Sequence, residues 1–219
     1  MKITISNGNT KLGKVYNISV PPVLTCPKGI PCVKDCYALK AWKQYPPARA
    51  AWQGNLNAFD EDPISYFGYI ADYCIVRKVE RFRWHVGGEI TSLDYYHGMV
   101  KVAECAPETQ FLAFTKMAEY IMQPRPDNLR LVASMWPDLL PAFAVNPKLG
   151  AEHALRTIKD HSGIAWMEPV DRVEITDKWY LSKLDTEVKT ESIKCSGKCD
   201  ECFMCWYLEP GSSVIFHQH

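Results

Sequence analysis

Seven of the nine cysteines in this chain fall in two short clusters, and this clustering constrains the fold more than any other feature. We interpret the N-terminal residues as the start of a cytoplasmic protein without a signal peptide, so the thiols stay reduced. Nine cysteines also cannot all pair as disulfides. We therefore expect metal or iron–sulfur ligation by the clustered cysteines, which are Cys26, Cys32 and Cys36, and Cys195, Cys199, Cys202 and Cys205.

The C-terminal cluster has the spacing C-x3-C-x2-C-x2-C, between Cys195 and Cys205. Ferredoxin-type segments hold [4Fe–4S] clusters with closely spaced C-x2-C runs, whereas zinc ribbons separate two such pairs by about 15–20 residues. The spacing therefore favours iron over zinc. Trp206 stands where the ferredoxin run has proline. It stays open whether all four cysteines bind one centre or one of them reaches the N-terminal group.

The N-terminal cluster has the spacing C-x5-C-x3-C and lies between a β-rich run and a helical pattern. In a parallel α/β fold, such a loop lies at the carboxyl edge of the sheet, where active sites collect. A cluster held by three thiolates leaves one iron open to a substrate, a cofactor or a fourth ligand. We expect a small-molecule ligand there. Cys74 and Cys105 lie on helical patterns with apolar neighbours, and we interpret both as core residues.

Short β-rich runs alternate with helical patterns, which is typical of βαβ units and a parallel sheet. Five or six such units are too few for an eight-fold barrel of about 250 residues. We therefore predict an α/β fold with a partial, open parallel β/α barrel over residues 1–173 and a Cys-rich, irregular C-terminal extension over 174–219. The predicted strands are Tyr16–Val20, Phe82–Val86, Gln110–Phe114, Leu129–Ala133, Gly163–Met167 and a last strand in the closing SSVIFHQH. The predicted helices are Val33–Gln44, Ile64–Val79, Ser92–Ala103 and Ala151–Lys159.

The segment FRWHVGGE is a strand that ends in two glycines and a carboxylate, Gly87, Gly88 and Glu89. Because side chains alternate along a strand, Arg83 and His85 are expected to point inward together as catalytic candidates. An inward arginine needs an anionic partner. The alternatives are a core histidine and a plain glycine turn with a surface glutamate. Polar side chains after other β-runs fit a shared pocket: Thr115, Lys116, Ser134, Trp136 and Glu168.

Composition limits the partners of the chain. It carries 25 basic and 25 acidic residues, so its net charge is zero, and a nucleic-acid partner is not expected. No apolar run approaches the roughly 20 residues that cross a membrane. We expect a redox partner or a small ligand, and no membrane partner.

The cysteine loop TCPKGIPCVKDCYALK, Arg49 and Asn55, FRWHVGGE, FTK and the terminal cysteines together resemble the phage- and prophage-encoded gene product 88 family. A phage origin implies the host cytoplasm. The layout also resembles a shortened, divergent radical S-adenosylmethionine protein. That resemblance implies S-adenosylmethionine as a cofactor, with Gly87, Gly88 and Glu89 binding its methionine part. Its C-x3-C-x2-C pattern is incomplete here, because Leu39 occupies the third cysteine's place and Cys26 substitutes.

Three functions remain in order of preference. The first is an iron–sulfur protein with radical-SAM-like architecture, with a redox or sensing role and no defined reaction. The second is an active radical S-adenosylmethionine enzyme. The third is a zinc-stabilised interaction scaffold.

Overall fold

The computed structural model describes residues 2–9, 12–28, 31–135, 150–167 and 192–216. Seven parallel strands form one sheet in the order β1-β2-β3-β4-β5-β7-β6. The strands are β1 (Tyr16–Ile18), β2 (Arg81–Trp84), β3 (Gln110–Thr115), β4 (Leu129–Met135), β5 (Gly163–Met167), β6 (Ile193–Lys194) and β7 (Ser213–Phe216). The α/β fold with a parallel sheet is confirmed, and each of the six predicted strands is present; Gly163–Met167 has the predicted ends, and the other five differ slightly at one or both ends.

Seven α-helices are described: α1 (Tyr37–Gln44), α2 (Pro46–Glu61), α3 (Pro63–Val76), α4 (Leu93–Cys105), α5 (Ala118–Ile121), α6 (Gly150–His161) and α7 (Cys199–Cys202). Two 3-10 helices span Pro31–Asp35 and Met204–Tyr207. Local capping fixes where the helices start. Asp62 accepts a hydrogen bond from the Ser65 N–H at the start of α3, and Ser92 accepts one from the Tyr95 N–H at the start of α4.

The first five strands follow one another in space in the order in which they follow in sequence. Because crossovers between parallel strands are right-handed, four steps in one direction put their helices on one face of the sheet. That face carries the larger core, in which Trp84 of β2 and Phe111 of β3 pack with Phe67 of α3 and with Tyr95 and Met99 of α4.

The C-terminal extension covers the opposite face. Trp206 and Leu208 are buried there in a second core with Leu112, Val132 and Val214. The Trp206 indole N–H donates a 3.3 Å hydrogen bond to the carbonyl oxygen of Phe82 in β2. The cysteine-rich segment is thus held against the sheet by a fully buried aromatic anchor.

Three expectations need correction. The described part of the extension, residues 192–216, is not irregular, because β6 and β7 extend the parallel sheet beyond β5. Helix α2 was not predicted. Cys74 is buried as expected, but Cys105 is exposed because it ends α4. The predicted boundary at 173/174 lies outside the described residues. No helix in the described part of the chain is both long and apolar enough to cross a membrane.

Candidate functional site

The loop that carries Cys26, Cys32 and Cys36 follows β1 and ends at α1. Cys36 is the N-cap of α1, and its Sγ accepts a 3.4 Å hydrogen bond from the Leu39 N–H. All three thiols are half-buried. The helix start therefore fixes the third cysteine of the loop at the carboxyl edge of the sheet.

The turn after β2 packs directly on this loop. Gly88 has a φ of +88°, and a Cβ there would come within 2.5 Å of the Val20 side chain and 2.8 Å of the Thr25 hydroxyl. The Glu89 N–H donates a 3.1 Å hydrogen bond to that same hydroxyl. Glycine is therefore required at Gly88 both by its backbone conformation and by the close approach of the cysteine loop.

Glu89 is buried at the centre of this edge. One carboxylate oxygen accepts a 2.9 Å hydrogen bond from the Ile90 N–H, and the other accepts one of 2.9 Å from the Lys116 N–H. Burial raises the pKa of Glu89, and the Lys116 ammonium opposes that rise. The carboxylate therefore already has two backbone donors, in contrast to the predicted role as a free acceptor for a ligand amine.

The electrostatics show that the loop thiols, Glu89 and Lys116 share one site. Burial raises the pKa of Cys26 and of Cys32; the Glu89 carboxylate raises both further, and Lys116 opposes the rise at both. Burial disfavours the charged form of Lys116, but Glu89 and the thiols outweigh this and raise its pKa. Lys116 is the cation of the site, supplied by the end of β3.

His85 does not point into this site. Its ring is buried among aromatic side chains on the helix-covered face, and its Nε2 lies 3.0 Å from the Tyr95 hydroxyl. The Tyr95 hydroxyl in turn lies 2.9 Å from that of Tyr66. Burial lowers the pKa of His85 to about 3, so the ring is neutral.

The expectation that Arg83 and His85 share a face is therefore wrong. Strand β2 ends at Trp84, and His85 has a φ of +55°, which breaks the alternation of side chains. Trp84 and His85 both face the helices, while Arg83 faces the C-terminal extension.

Arg83 lies among the second group of cysteines. It lines one pocket together with all four thiols of that group, Cys195, Cys199, Cys202 and Cys205. Its guanidinium lies 4.8 Å from the centroid of the Phe114 ring, and its buried Nε has no hydrogen-bond partner among the described residues. Arg83 forms no ion pair with a described carboxylate, the partner that was predicted for it, and the thiols are among its polar neighbours in the pocket.

Burial raises the pKa of Cys199 and raises that of Cys205 to about 12, and Arg83 opposes both rises. Different charged groups act on the two sets of thiols: Arg83 acts on Cys199 and Cys205, whereas Glu89 and Lys116 act on Cys26 and Cys32. Among the described residues, no three His, Cys, Asp or Glu side chains gather closely enough to hold a single metal ion.

Thr25 and Tyr37 belong to the loop site but were not predicted. The Tyr37 hydroxyl donates to the Val86 carbonyl oxygen, so α1 is tied to the turn after β2. Both residues flank predicted cysteine ligands, which is the only sequence signal that marks them. Of the predicted strand-end residues, Thr115 and Lys116 adjoin Glu89, whereas Trp136 and Glu168 lie outside the described residues.

The family model described as Gene product 88 matches residues 2–207. No curated protein matches the chain, and no solved structure matches it.

Proposed function

This chain belongs to the gene product 88 family, and we propose that it is an iron–sulfur protein with two cluster sites. Cys26, Cys32 and Cys36 would hold one cluster, and the C-terminal cysteines would hold the other. The observation that carries the proposal is the packing of the cysteine loop on the turn of Glu89, whose carboxylate accepts a hydrogen bond from the Lys116 N–H at the carboxyl edge of the sheet.

The donor sets fit iron–sulfur clusters. Each site offers thiols as its main ligands, which is the ligation that [4Fe–4S] clusters use. A four-iron cluster is wider than one ion, so its ligands stand farther apart than the four ligands of a tetrahedral zinc. What favours iron over the zinc scaffold is the close C-x2-C spacing of the C-terminal cysteines. At the C-terminal site, the unpaired Nε–H of Arg83 is a donor of the kind that cluster sulfur accepts.

The two sites have different roles in this proposal. When bound, a cluster supplies one-electron chemistry. Three thiolates at the loop site would leave one iron of a cluster open to a small ligand, beside the Lys116 cation and the Glu89 carboxylate. Four thiolates at the C-terminal site would supply every ligand of a cluster, and Phe203 and Trp206 line that site, which suits electron storage or transfer.

Active radical S-adenosylmethionine chemistry is a second candidate. The consecutive order of β1 to β5 is the order that a partial barrel requires, and the packing of Gly88 on the cysteine loop supports it. The methionine part of the cofactor carries an amine and a carboxylate, which would face Glu89 and Lys116. Because both Glu89 oxygens already accept backbone hydrogen bonds, we rank this candidate second.

The first experiment is anaerobic purification followed by iron, sulfide and zinc analysis and by EPR of the reduced protein. We expect brown protein that contains iron and acid-labile sulfide. Cys36→Ala should lose the loop cluster but keep the other one, while Cys105→Ala, an exposed cysteine outside both sites, should keep all iron. Colourless protein with stoichiometric zinc, or unchanged iron in Cys36→Ala, would contradict the proposal.

The second experiment separates the two candidates. Reduced, cluster-loaded protein is incubated with S-adenosylmethionine, and release of methionine and 5′-deoxyadenosine is measured. Release that is lost in Cys36→Ala and retained in Cys105→Ala supports the enzyme. Intact clusters without any release leave the redox or sensing role as the function.

A further inference from the structure

The neutral net charge hides a strong segregation of charge along the chain. Residues 1–59 contain eight basic residues and one acidic residue, whereas residues 60–219 contain 17 basic and 24 acidic residues. The N-terminal quarter therefore carries a formal charge of +7 and the remainder −7. Charge asymmetry of this kind is typical of chains that bind polyanions.

Five of these basic residues belong to the cysteine loop and to the hairpin of α1 and α2, two helices that contact each other. All five are exposed, and none forms an ion pair in the described part of the chain. We call this region the hairpin surface; its cations are Lys28, Lys34, Lys40, Lys43 and Arg49. Without an ion pair among the described residues, these cations create a local positive potential on the hairpin.

Along the chain, aromatic residues alternate with these cations. Tyr37 and Tyr45, at the two ends of α1, expose 44% and 53% of their surfaces. Trp42 of α1 stacks on Trp52 of α2 with a centroid distance of 6.1 Å and an angle of 27°. An exposed tyrosine at each end of a lysine-bearing helix offers faces on which planar groups can stack.

We propose that the hairpin surface binds single-stranded nucleic acid. Cations that follow a phosphate backbone, interleaved with rings on which bases stack, form the usual platform for single strands. A duplex keeps its bases stacked inside and would leave Tyr37 and Tyr45 unused. An acidic protein or an anionic membrane would use the charge but has no planar bases for these rings. The inference does not depend on cluster binding.

The surface also adjoins the loop site. A Cβ on Gly87 would lie 2.8 Å from the Trp52 ring, so the hairpin packs on the turn that carries Glu89. A strand bound to the hairpin surface would therefore pass beside the Cys26–Cys36 loop.

Fluorescence anisotropy with a labelled mixed-sequence single strand tests the proposal. The strand has about 20 nucleotides, longer than the roughly 4–16 that one site covers, and DNA and RNA are compared at several salt concentrations. We expect Lys40→Gln/Lys43→Gln to weaken binding and to lower the log–log salt slope by about 1.4, because each single-strand phosphate contact contributes about 0.7. Tyr45→Leu should weaken binding about fivefold or more, the lower end of one base–aromatic stack.

The matched control is Lys78→Gln/Lys101→Gln, which removes the same charge from exposed positions near α3 and α4. We expect its affinity and salt slope to equal those of the wild type. Equal losses in both double variants would overturn the proposal. Tighter binding to a duplex of the same sequence, or to phosphatidylglycerol vesicles, would also overturn the proposal. The same holds if polyglutamate displaces the labelled strand as effectively as unlabelled strand does at equal charge.

Discussion

The carboxylate of Glu89 accepts a 2.9 Å hydrogen bond from the backbone N–H of Lys116, 27 positions away in the sequence. This bond joins the turn after β2 to the end of β3. Since the backbone of the same turn packs on Val20 and Thr25, the turn and the Glu89 side chain together link three consecutive strand ends. The geometry of the loop site therefore depends on Glu89 whether or not a ligand binds it.

Replacing Glu89 should destabilise the protein. Glu89→Ala leaves the Ile90 and Lys116 N–H groups unsatisfied in a buried place, at a cost of about 1–3 kcal/mol each. Glu89→Gln keeps one acceptor oxygen and removes a buried charge, so it should cost less. Urea unfolding of both variants measures whether Glu89→Ala loses more stability than Glu89→Gln. Glu80→Ala, at an exposed glutamate, is the control and should change stability by less than about 0.5 kcal/mol; equal stability of Glu89→Ala and wild type would contradict the role.

Gly88→Ala and Gly68→Ala should have opposite effects. At Gly88, the φ of +88° and the Val20 side chain both oppose a Cβ, so we expect a loss of more than about 1 kcal/mol and a displaced cysteine loop. At Gly68, within α3, no atom lies within 4 Å of an added Cβ. There alanine should stabilise the helix by about 0.5–1 kcal/mol. Thermal unfolding measures the change in stability of both variants. If Gly88→Ala is as stable as the wild type, the turn is not constrained by the loop.

His85 should make the protein sensitive to acid. Its folded pKa of about 3 lies below the unfolded value of 6.5. The unfolded state therefore binds the extra proton between these values, and the stability that neutral His85 contributes is complete above pH 6.5 and is lost as the pH falls toward 3. The limiting slope for one proton is about 1.4 kcal/mol per pH unit.

The test compares urea unfolding of wild type and His85→Asn across this range. Asparagine tolerates the positive φ at this position, so the variant should fold, with lower stability at pH 7 and a shallower loss in acid. His97→Asn, at an exposed histidine of α4, should keep the wild-type slope. An unchanged slope in His85→Asn would mean that His85 is not the group that titrates.

The strands could be predicted because each is a short apolar run bounded by turn residues, and local pattern decides such elements. Helix α2 was missed although Pro46 and Pro47 mark its first turn, where proline is favoured. Its polar residues are spread around the helix, so its apolar residues show only a weak 3.6-residue periodicity.

The joining of the cysteine loop with the turn after β2 followed from topology, because parallel strands bring their carboxyl ends to one edge. The direction of His85 did not follow, because a single positive φ reverses which face a side chain takes. Nor could the sequence place the C-terminal cysteines beside Arg83. That contact depends on Trp206 packing against β2, more than a hundred residues away, and no local pattern encodes it.

Arg83 should set the reduction potential of the C-terminal cluster in our proposal. It is the cation that opposes the rise in thiol pKa at Cys199 and Cys205, and its Nε–H has no other described acceptor. A four-thiolate cluster becomes more negative on reduction, so a neighbouring cation and a hydrogen bond to sulfur both stabilise the reduced form. Arg83→Gln should therefore lower the potential in a redox titration followed by EPR.

Arg83→Lys separates the two contributions, since it keeps the charge but loses the planar Nε–H donor. A potential between those of wild type and Arg83→Gln would assign part of the effect to each. Arg130→Gln, which breaks the ion pair with Glu209 at the start of β4, is the control and should leave the potential unchanged. If Arg83→Gln keeps both full iron content and the wild-type potential, Arg83 does not act on the cluster, and its position among the thiols reflects only its stacking on Phe114.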